Sequence, residues 1–214
     1  MTELTAIDVL ILPDGAMLEQ AKAWNARLLE SVRSGFTLDA KHTPHITLLQ
    51  RYVHTEELDE VYAAIGSTLA DVAASSLELT AVKLAHMELA ATPGVGLAGL
   101  LCQAGSSVID LQRALIEAVK PYTGSGGTRE AFVTSEAEPD INADTLTYVE
   151  GYVPEHSGDK FLAHVTVGQA TLADLADLER STFDRFMFHP VGFAVYHLGN
   201  NGTAQTQLRH WDLT

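Results

Sequence analysis

The N-terminal part of the chain begins with an apolar run and continues with an amphipathic stretch. Residues 6–12 are rich in Ile, Val and Leu and lead into Pro13-Asp14-Gly15, which is typical of a buried strand followed by a turn. Apolar residues then recur every three or four positions, which predicts a helix with Asp14 near its N-terminus and Gly35 beyond its end. The apolar positions of this helix are Met17, Ala21, Trp24 and Leu28.

The same two kinds of pattern predict the remaining elements. Further helices are predicted over residues 58–72, 107–119, 142–149 and 171–180. Ser107 with Asp110 resembles a capping box that would start the second of these, and Thr171 with Asp174 would start the last. Further strands are predicted over residues 77–89, 95–103, 161–167, 191–198 and 206–213, the last two joined as a hairpin.

Residues 122–140 differ from the rest of the chain. They contain a Gly-rich stretch over 123–127 and an acidic patch around Glu136 and Glu138, too polar to pack as regular structure. The composition predicts a long mobile loop, which is either a solvated connection or a lid near a functional site.

Composition and charge narrow the class of protein. The 214 residues are 46% apolar, which is enough to build a full core. Thirteen basic and 28 acidic residues give a formal charge of −15, which argues against binding of long nucleic acid but permits a small anionic ligand in a local pocket. Cys102 has no disulfide partner, the N-terminus lacks a secretory pattern, and no apolar run reaches the ~20 residues that span a bilayer. We therefore expect a cytoplasmic protein without membrane contact.

Two tetrads carry the candidate chemistry, His45-Ile46-Thr47-Leu48 and His164-Val165-Thr166-Val167. A single His-x-Thr is weak evidence, because nine histidines with Thr at about one residue in ten give roughly one match by chance. Two tetrads with apolar residues at the second and fourth positions are expected together only about once in a hundred chains. Positions i and i+2 of a strand share a face, so each imidazole would point the same way as its neighbouring hydroxyl.

Two such strands, brought together, would surround one point with two imidazoles and two hydroxyls. Cleavage of a phosphodiester needs a base for the incoming water or hydroxyl and an acid for the departing oxygen, and two histidines supply both near neutral pH. The hydroxyls can donate hydrogen bonds to the non-bridging phosphate oxygens. This chemistry requires no metal and no cofactor.

Two other interpretations compete with this one. Each His could be an ordinary core or surface residue, and each Thr an ordinary strand residue. A zinc site could use His42, His45 and His164, but the spacing from His42 to His45 is the only one that resembles a ligand pair. His42 precedes Pro44 in an extended segment, which favours a solvated neighbour of the motif.

The tetrads resemble the signature of the two-histidine (2H) phosphoesterase superfamily, which includes the 2′-5′ RNA ligase-like proteins and cyclic nucleotide phosphodiesterases. The resemblance spans most of the chain and extends to residues 43–48, 145–150, 152–154 and 196–204. One departure is that many relatives carry proline directly before the second histidine, whereas Leu162-Ala163 precede His164 here. This loosens the match without removing a catalytic group.

The resemblance implies a bilobal α+β fold in which residues 1–214 form one domain. Two antiparallel sheets, related by a pseudo-two-fold axis, would carry helices on their outer sides. They would enclose a central groove that is lined by both motifs. The implied substrates contain a 2′,3′-cyclic phosphate or a 2′-5′ phosphodiester. His45 and His164 would be the acid–base pair, in an order left open, and Thr47 and Thr166 the phosphate contacts.

Further contacts to a substrate depend on which side each residue faces. Strict alternation from His45 would place Arg51 on the groove side, although a solvent-facing arginine is the alternative. Tyr148, Tyr152 and Tyr196 could stack on a nucleobase or be partly buried core residues. The leading hypothesis is an enzyme acting on a mononucleotide or short RNA, monomeric by default, with ligation a minor activity. The alternative is a nucleotide- or RNA-binding module with little turnover.

Overall fold

The computed structural model describes residues 3–39, 42–89, 92–136 and 138–213, and these form eight strands and five α-helices. The strands are β1 (Leu4–Pro13), β2 (Ile46–His54), β3 (Leu79–Glu88), β4 (Val95–Ala104), β5 (His164–Thr171), β6 (Phe186–Phe188), β7 (Pro190–Leu198) and β8 (Ala204–Asp212). The helices are α1 (Gly15–Ser31), α2 (Leu58–Leu69), α3 (Ser106–Val119), α4 (Ala143–His156) and α5 (Leu172–Arg180).

The strands form two four-stranded antiparallel sheets with matching layouts. The first has the order β2-β1-β7-β8 and the second the order β5-β4-β3-β6. In each sheet the motif-bearing strand is an edge strand that pairs with the strand preceding it in the chain. The predicted bilobal α+β fold with duplicated antiparallel sheets is thus confirmed.

Side-chain caps explain where three of the helices begin. Asp14 accepts a hydrogen bond from the Met17 backbone N–H at 3.2 Å, Asn142 caps α4 and Thr171 caps α5 in the same way. The predicted capping box at Ser107 is wrong, since α3 begins one residue earlier after Gly105, which offers no side chain. Helix α3 is stabilised mainly by its apolar stripe, which packs into the core, and not by a side-chain cap.

The main core lies between the sheets and the helices packed on them. Alternate residues of β1 are buried in it, as are the residues of β4 and β5 on the core-facing side of the second sheet. A smaller apolar cluster, which includes Tyr52, Phe132 and Val149, lies where α4 covers the first sheet. No helix in the described part of the chain is long and apolar enough to cross a membrane.

Some predicted boundaries differ from the structure, and one strand was not predicted. The strand predicted over 161–167 begins at His164 and continues to Thr171. The helix predicted over 142–149 continues to His156 through Pro154, because packing of its apolar face outweighs the local cost of proline. The short strand β6 carries no clear alternation and was not predicted.

The segment 122–140, of which residue 137 lies outside the described residues, contains a single short 3₁₀ turn at Arg129–Ala131 and the end of another at Tyr122. It nevertheless packs against the first sheet, since Thr123 forms a β-bridge with Val53 and Phe132 is buried against Tyr52. The predicted absence of long regular elements is confirmed, while its role as a connection or a lid stays a prediction.

Candidate active site

The two tetrads lie at the starts of the edge strands β2 and β5, one in each sheet. Their four apolar residues are fully buried, namely Ile46, Leu48, Val165 and Val167. The histidines and threonines point to the other side of their strands, where they are only partly covered. We call this side the groove face of each sheet.

Both tetrads contain a β-bulge at the fourth residue. Leu48 is the extra residue in the pairing of β2 with β1, and Val167 is the extra residue in the pairing of β5 with β4. Gly168 follows the second bulge with a φ of +149°, a conformation that favours glycine. The bulges reverse the alternation of both strands directly after the motif threonines.

The two histidines are held by equivalent hydrogen bonds. His45 Nδ1 lies 2.7 Å from the carbonyl oxygen of Thr43, and His164 Nδ1 lies 2.8 Å from that of Leu162. A carbonyl oxygen only accepts hydrogen bonds, so each Nδ1 carries the proton and donates it. Each Nε2 is therefore free to accept or donate a proton on the groove face.

The groove brings the two imidazoles within electrostatic reach of each other. The pKa of His164 lies below its ordinary value, mainly because the surrounding protein atoms displace water, although one side of the ring stays open. Positive charge on His45 or His156 lowers this pKa further, while the hydrogen bond to Leu162 opposes the shift. His164 therefore favours the neutral form that a general base needs.

Helix α4 lines the groove with an aromatic face. Tyr148, Tyr152 and His156 follow one another at four-residue spacing, with ring centroids 4.7 to 5.8 Å apart. The Tyr152 hydroxyl donates to the carbonyl oxygen of Thr47 at 3.3 Å, which ties the helix to the first motif. Tyr148 is 40% exposed and presents part of its ring to solvent.

Two buried amides link each motif to the segment that precedes the other motif. The Asn25 side-chain amide of α1 donates to the carbonyl oxygen of the bulged Val167 at 2.9 Å and also to that of Phe36 at 3.0 Å, ahead of His45. The Gln112 side-chain amide of α3 donates to the carbonyl oxygen of the bulged Leu48 at 3.0 Å and to that of His156, ahead of the second motif, at 3.3 Å. These contacts relate the positions of the two tetrads.

A buried carboxylate lies behind the first motif. Asp8 is fully buried, and its Oδ2 accepts hydrogen bonds from Thr47 Oγ1 at 3.0 Å and from Gln50 Nε2 at 3.1 Å. The same oxygen lies 4.0 Å from His45 Nε2. Burial raises the pKa of Asp8 to about 6, although the charge of His45 and the two hydrogen bonds lower it.

Arg51 does not lie on the groove face. The bulge at Leu48 breaks the strict alternation on which that expectation depended, and Arg51 pairs instead with the core residue Ile7. Desolvation lowers the pKa of its guanidinium there, against the opposite effect of Glu117 and Glu150. The prediction that Arg51 lies on the groove side is therefore wrong. Contact of Arg51 with a substrate stays a prediction that strict alternation no longer supports.

Tyr196 pairs with Asp8 across β7 and β1, so it lies on the groove face. Its hydroxyl donates to Gln207 Oε1 at 3.1 Å. Contact of Tyr196 with a substrate stays a prediction.

The residues of the alternative zinc set do not converge in the described structure. His42 stacks on Phe36 with ring centroids 4.9 Å apart and contacts Asp39. Among the described residues, no group of three or more His, Cys, Asp or Glu side chains has an arrangement suited to a metal ion.

Sequence reasoning missed Asp8, Asn25 and Gln112. Asp8 interrupts an otherwise apolar strand, and each amide occupies a position on the apolar stripe of its helix. Polar residues in such positions need buried hydrogen-bond partners, and this requirement is the signal that could have identified them.

Comparison with known proteins identifies relatives along nearly the whole chain. The sequence model of the family described as the 2′-5′ RNA ligase superfamily matches residues 19–199. No protein with a curated description matches the sequence significantly.

Several solved structures share the fold. The protein TT0787 of Thermus thermophilus is 15% identical, with 98% of each chain covered and a TM-score of 0.56. Escherichia coli LigT in its apo form is 15% identical, with 100% of this chain and 99% of LigT covered and a TM-score of 0.52. LigT complexed with 3′-AMP is 16% identical, with the same coverage and a TM-score of 0.50. At this identity the likeness concerns the fold.

Proposed function

The chain belongs to the 2′-5′ RNA ligase superfamily of 2H phosphoesterases, and from this premise we propose that it hydrolyses a 2′,3′-cyclic phosphate or a 2′-5′ phosphodiester by acid–base catalysis. One observation carries the proposal. His45 and His164 each donate a hydrogen bond from Nδ1 to a backbone carbonyl oxygen, which leaves Nε2 free on the groove face. Two imidazoles held this way can exchange protons on opposite sides of one phosphate.

The threonines complete the arrangement. Thr47 and Thr166 lie two residues beyond their histidines on the same face of each strand. No described residue accepts a hydrogen bond from Thr166, so its hydroxyl is available to a phosphate oxygen. A donor at Thr166 would stabilise the charge that builds up on the non-bridging oxygens in the transition state, whereas the Thr47 hydroxyl, which donates to Asp8, would have to turn from Asp8 to do the same.

In the proposed hydrolysis, water and the two histidines account for every proton and bond. One neutral imidazole takes a proton from water as the water oxygen attacks phosphorus. The bond from phosphorus to one ribose oxygen breaks, and the second imidazole gives its proton to that oxygen. The product is a phosphate monoester, and exchange of a proton with solvent returns both rings to their starting states.

A small substrate fits the charge of the molecule. The formal charge of −15 would repel a long polyanion outside the groove. A mononucleotide or short oligonucleotide presents few phosphates and is repelled least. The likeness in fold to LigT, which has been crystallised with 3′-AMP, agrees with a nucleotide-sized ligand.

The test is turnover of 2′,3′-cyclic nucleotides and 2′-5′-linked dinucleotides with a chelator present. His45→Ala and His164→Ala are each expected to lower kcat/KM by about 100- to 10,000-fold, the usual contribution of a general acid or base. His86→Ala is the matched control, because His86 contacts Glu179 on α5 and pairs with the core residue Ala98 on the side away from the groove. Full activity in either motif variant would refute the proposed mechanism.

The alternative function, a binding module, predicts a different result in the same assay. Saturable binding of a cyclic nucleotide with no product from any of these phosphodiesters would favour it over the enzyme.

A further inference from the structure

The two lobes differ at one position beside their motifs. After the equivalent bulges, Gln50 in the first sheet and Gln169 in the second occupy matching positions, and they pair with Asp8 and Leu97, respectively. The first motif therefore has a buried carboxylate behind it where the second has an apolar side chain. This asymmetry lies beside features that both motifs share, namely the bulges, the histidine Nδ1 hydrogen bonds and the buried amide contacts.

The carboxylate contacts both functional groups of the first motif. Its Oδ2 accepts a hydrogen bond from the Thr47 hydroxyl at 3.0 Å and lies 4.0 Å from His45 Nε2. An ionised carboxylate at this distance attracts a positively charged group on the imidazole, and burial strengthens the attraction because little water screens it. Nothing equivalent among the described residues acts on His164, whose ring is instead held toward the neutral form.

The other titratable groups near Asp8 cannot supply a positive charge. They are Tyr148 and Tyr152 from α4 and Tyr196 from β7. Burial raises the pKa of each of these tyrosines, so they are neutral at pH 7. Among the described groups around Asp8, His45 is the one that can become a cation, and His164 faces it across the groove.

We propose that Asp8 is a positioning residue that holds the transferable proton on His45, which makes His45 the general acid and His164 the general base. The assignment rests on the proposed hydrolysis. His164 Nε2 accepts the proton of the attacking water, and His45 Nε2 gives its proton to the ribose oxygen that leaves phosphorus. Asp8 stays ionised throughout and touches neither reacting oxygen.

The site carries a structural cost that fits a functional role. Asp8 Oδ1 and Gln50 Oε1 are both buried without a hydrogen-bond partner among the described residues. Unsatisfied buried acceptors destabilise a fold, so a native structure that keeps them calls for an explanation, and a catalytic role is one such explanation.

The test measures the protonation of both histidines directly. In the intact protein at pH 7, ¹⁵N NMR of the ring nitrogens, assigned with His45→Ala and His164→Ala, is expected to show a larger protonated fraction on His45 than on His164. Asp8→Asn should lower the protonated fraction of His45 at least threefold and should not lower that of His164. Asp71→Asn, which removes an exposed carboxylate, is the control and should change neither ring.

The pH–rate profile supplies the second measurement. Asp8→Asn is expected to move the alkaline limb, where the acid loses its proton, about one unit lower and to leave the acidic limb in place. A purely structural role would reduce the rate at every pH without moving either limb.

The inference and the proposed function fail in different ways. A larger protonated fraction on His164 than on His45 would overturn the inference even if Asp8→Asn did not fold, because this comparison uses the natural chain. An unchanged protonated fraction of His45 in folded Asp8→Asn would also overturn the inference. Absence of turnover in the natural protein would instead overturn the proposed function, while the NMR result would stand.

Discussion

Replacement of Asp8 by asparagine is expected to make the fold progressively more stable, relative to the natural protein, as pH rises from 4.5 to 8. Asp8 has a pKa of about 6 in the folded protein against an ordinary value of 3.8. The folded state therefore binds this proton more tightly than the unfolded chain does, and stability is lost as pH rises from 3.8 through 6. The side chain of asparagine does not ionise, so the unfolding free energy of the variant does not decrease in this way as pH rises.

The difference of about two pKa units corresponds to roughly 3 kcal/mol of unfolding free energy when the carboxyl is fully ionised. About 1 kcal/mol of it is already lost at pH 4.5 and nearly all of it at pH 8. Relative to the natural protein, Asp8→Asn should thus gain about 2 kcal/mol between pH 4.5 and pH 8. Any change in hydrogen bonding to Thr47 and Gln50 adds a constant that does not depend on pH.

The assay is urea denaturation at pH 4.5, 6 and 8, followed by the fluorescence of Trp24 and Trp211. Asp71→Asn serves as the control, and its effect should stay within about 0.5 kcal/mol at each pH. A stability difference for Asp8→Asn that is flat with pH would show that Asp8 is not costly to ionise. A difference that falls with pH would mean that the carboxylate stabilises the fold, which would refute the reasoning.

Two further predictions concern groups that hold the phosphate and the motifs. Thr166→Val should lower kcat/KM by roughly 10- to 100-fold, because a hydrogen bond to a charged oxygen is lost. Thr47→Val should lower it less, because Thr47 already donates to Asp8. Steady-state kinetics at pH 7 compares the two variants, and equal effects would contradict the asymmetry. Gln112→Leu should lower the free energy of unfolding by about 1 to 3 kcal/mol, because it leaves the buried carbonyl oxygen of Leu48 without a hydrogen bond. It should also reduce kcat more than it changes KM, because the first motif loses a contact that holds its position. The exposed Gln20→Leu is the control, and an unchanged kcat in Gln112→Leu would contradict the prediction.

The main elements could be predicted because their patterns are local. The apolar periodicity of residues 17–28 and the strong cap at Asp14 identify α1, and the tetrads themselves are visible as four-residue patterns. The bulges at Leu48 and Val167 could not be predicted in the same way. An extra apolar residue in an apolar strand leaves the pattern unchanged, and only the pairing with a neighbouring strand reveals it.

The error at Arg51 follows from the first bulge. Strict alternation from His45 fails once Leu48 is added to the count, and the face of every later residue in β2 is reversed. The contacts of Asp8 and Gln112 lie beyond sequence reasoning for a related reason. Asp8 accepts from a threonine 39 positions away and Gln112 donates to a carbonyl 64 positions away, and the sequence alone does not show which buried partner each one meets.

One phosphate is expected to bind between both motifs. A crystal structure with inorganic phosphate or a nucleoside 3′-monophosphate tests it most directly. We expect a tetrahedral anion within hydrogen-bond distance of Nε2 of His45 and His164 and of the hydroxyls of Thr47 and Thr166. A phosphate held by one motif alone, or bound elsewhere while the groove stays empty, would contradict the account.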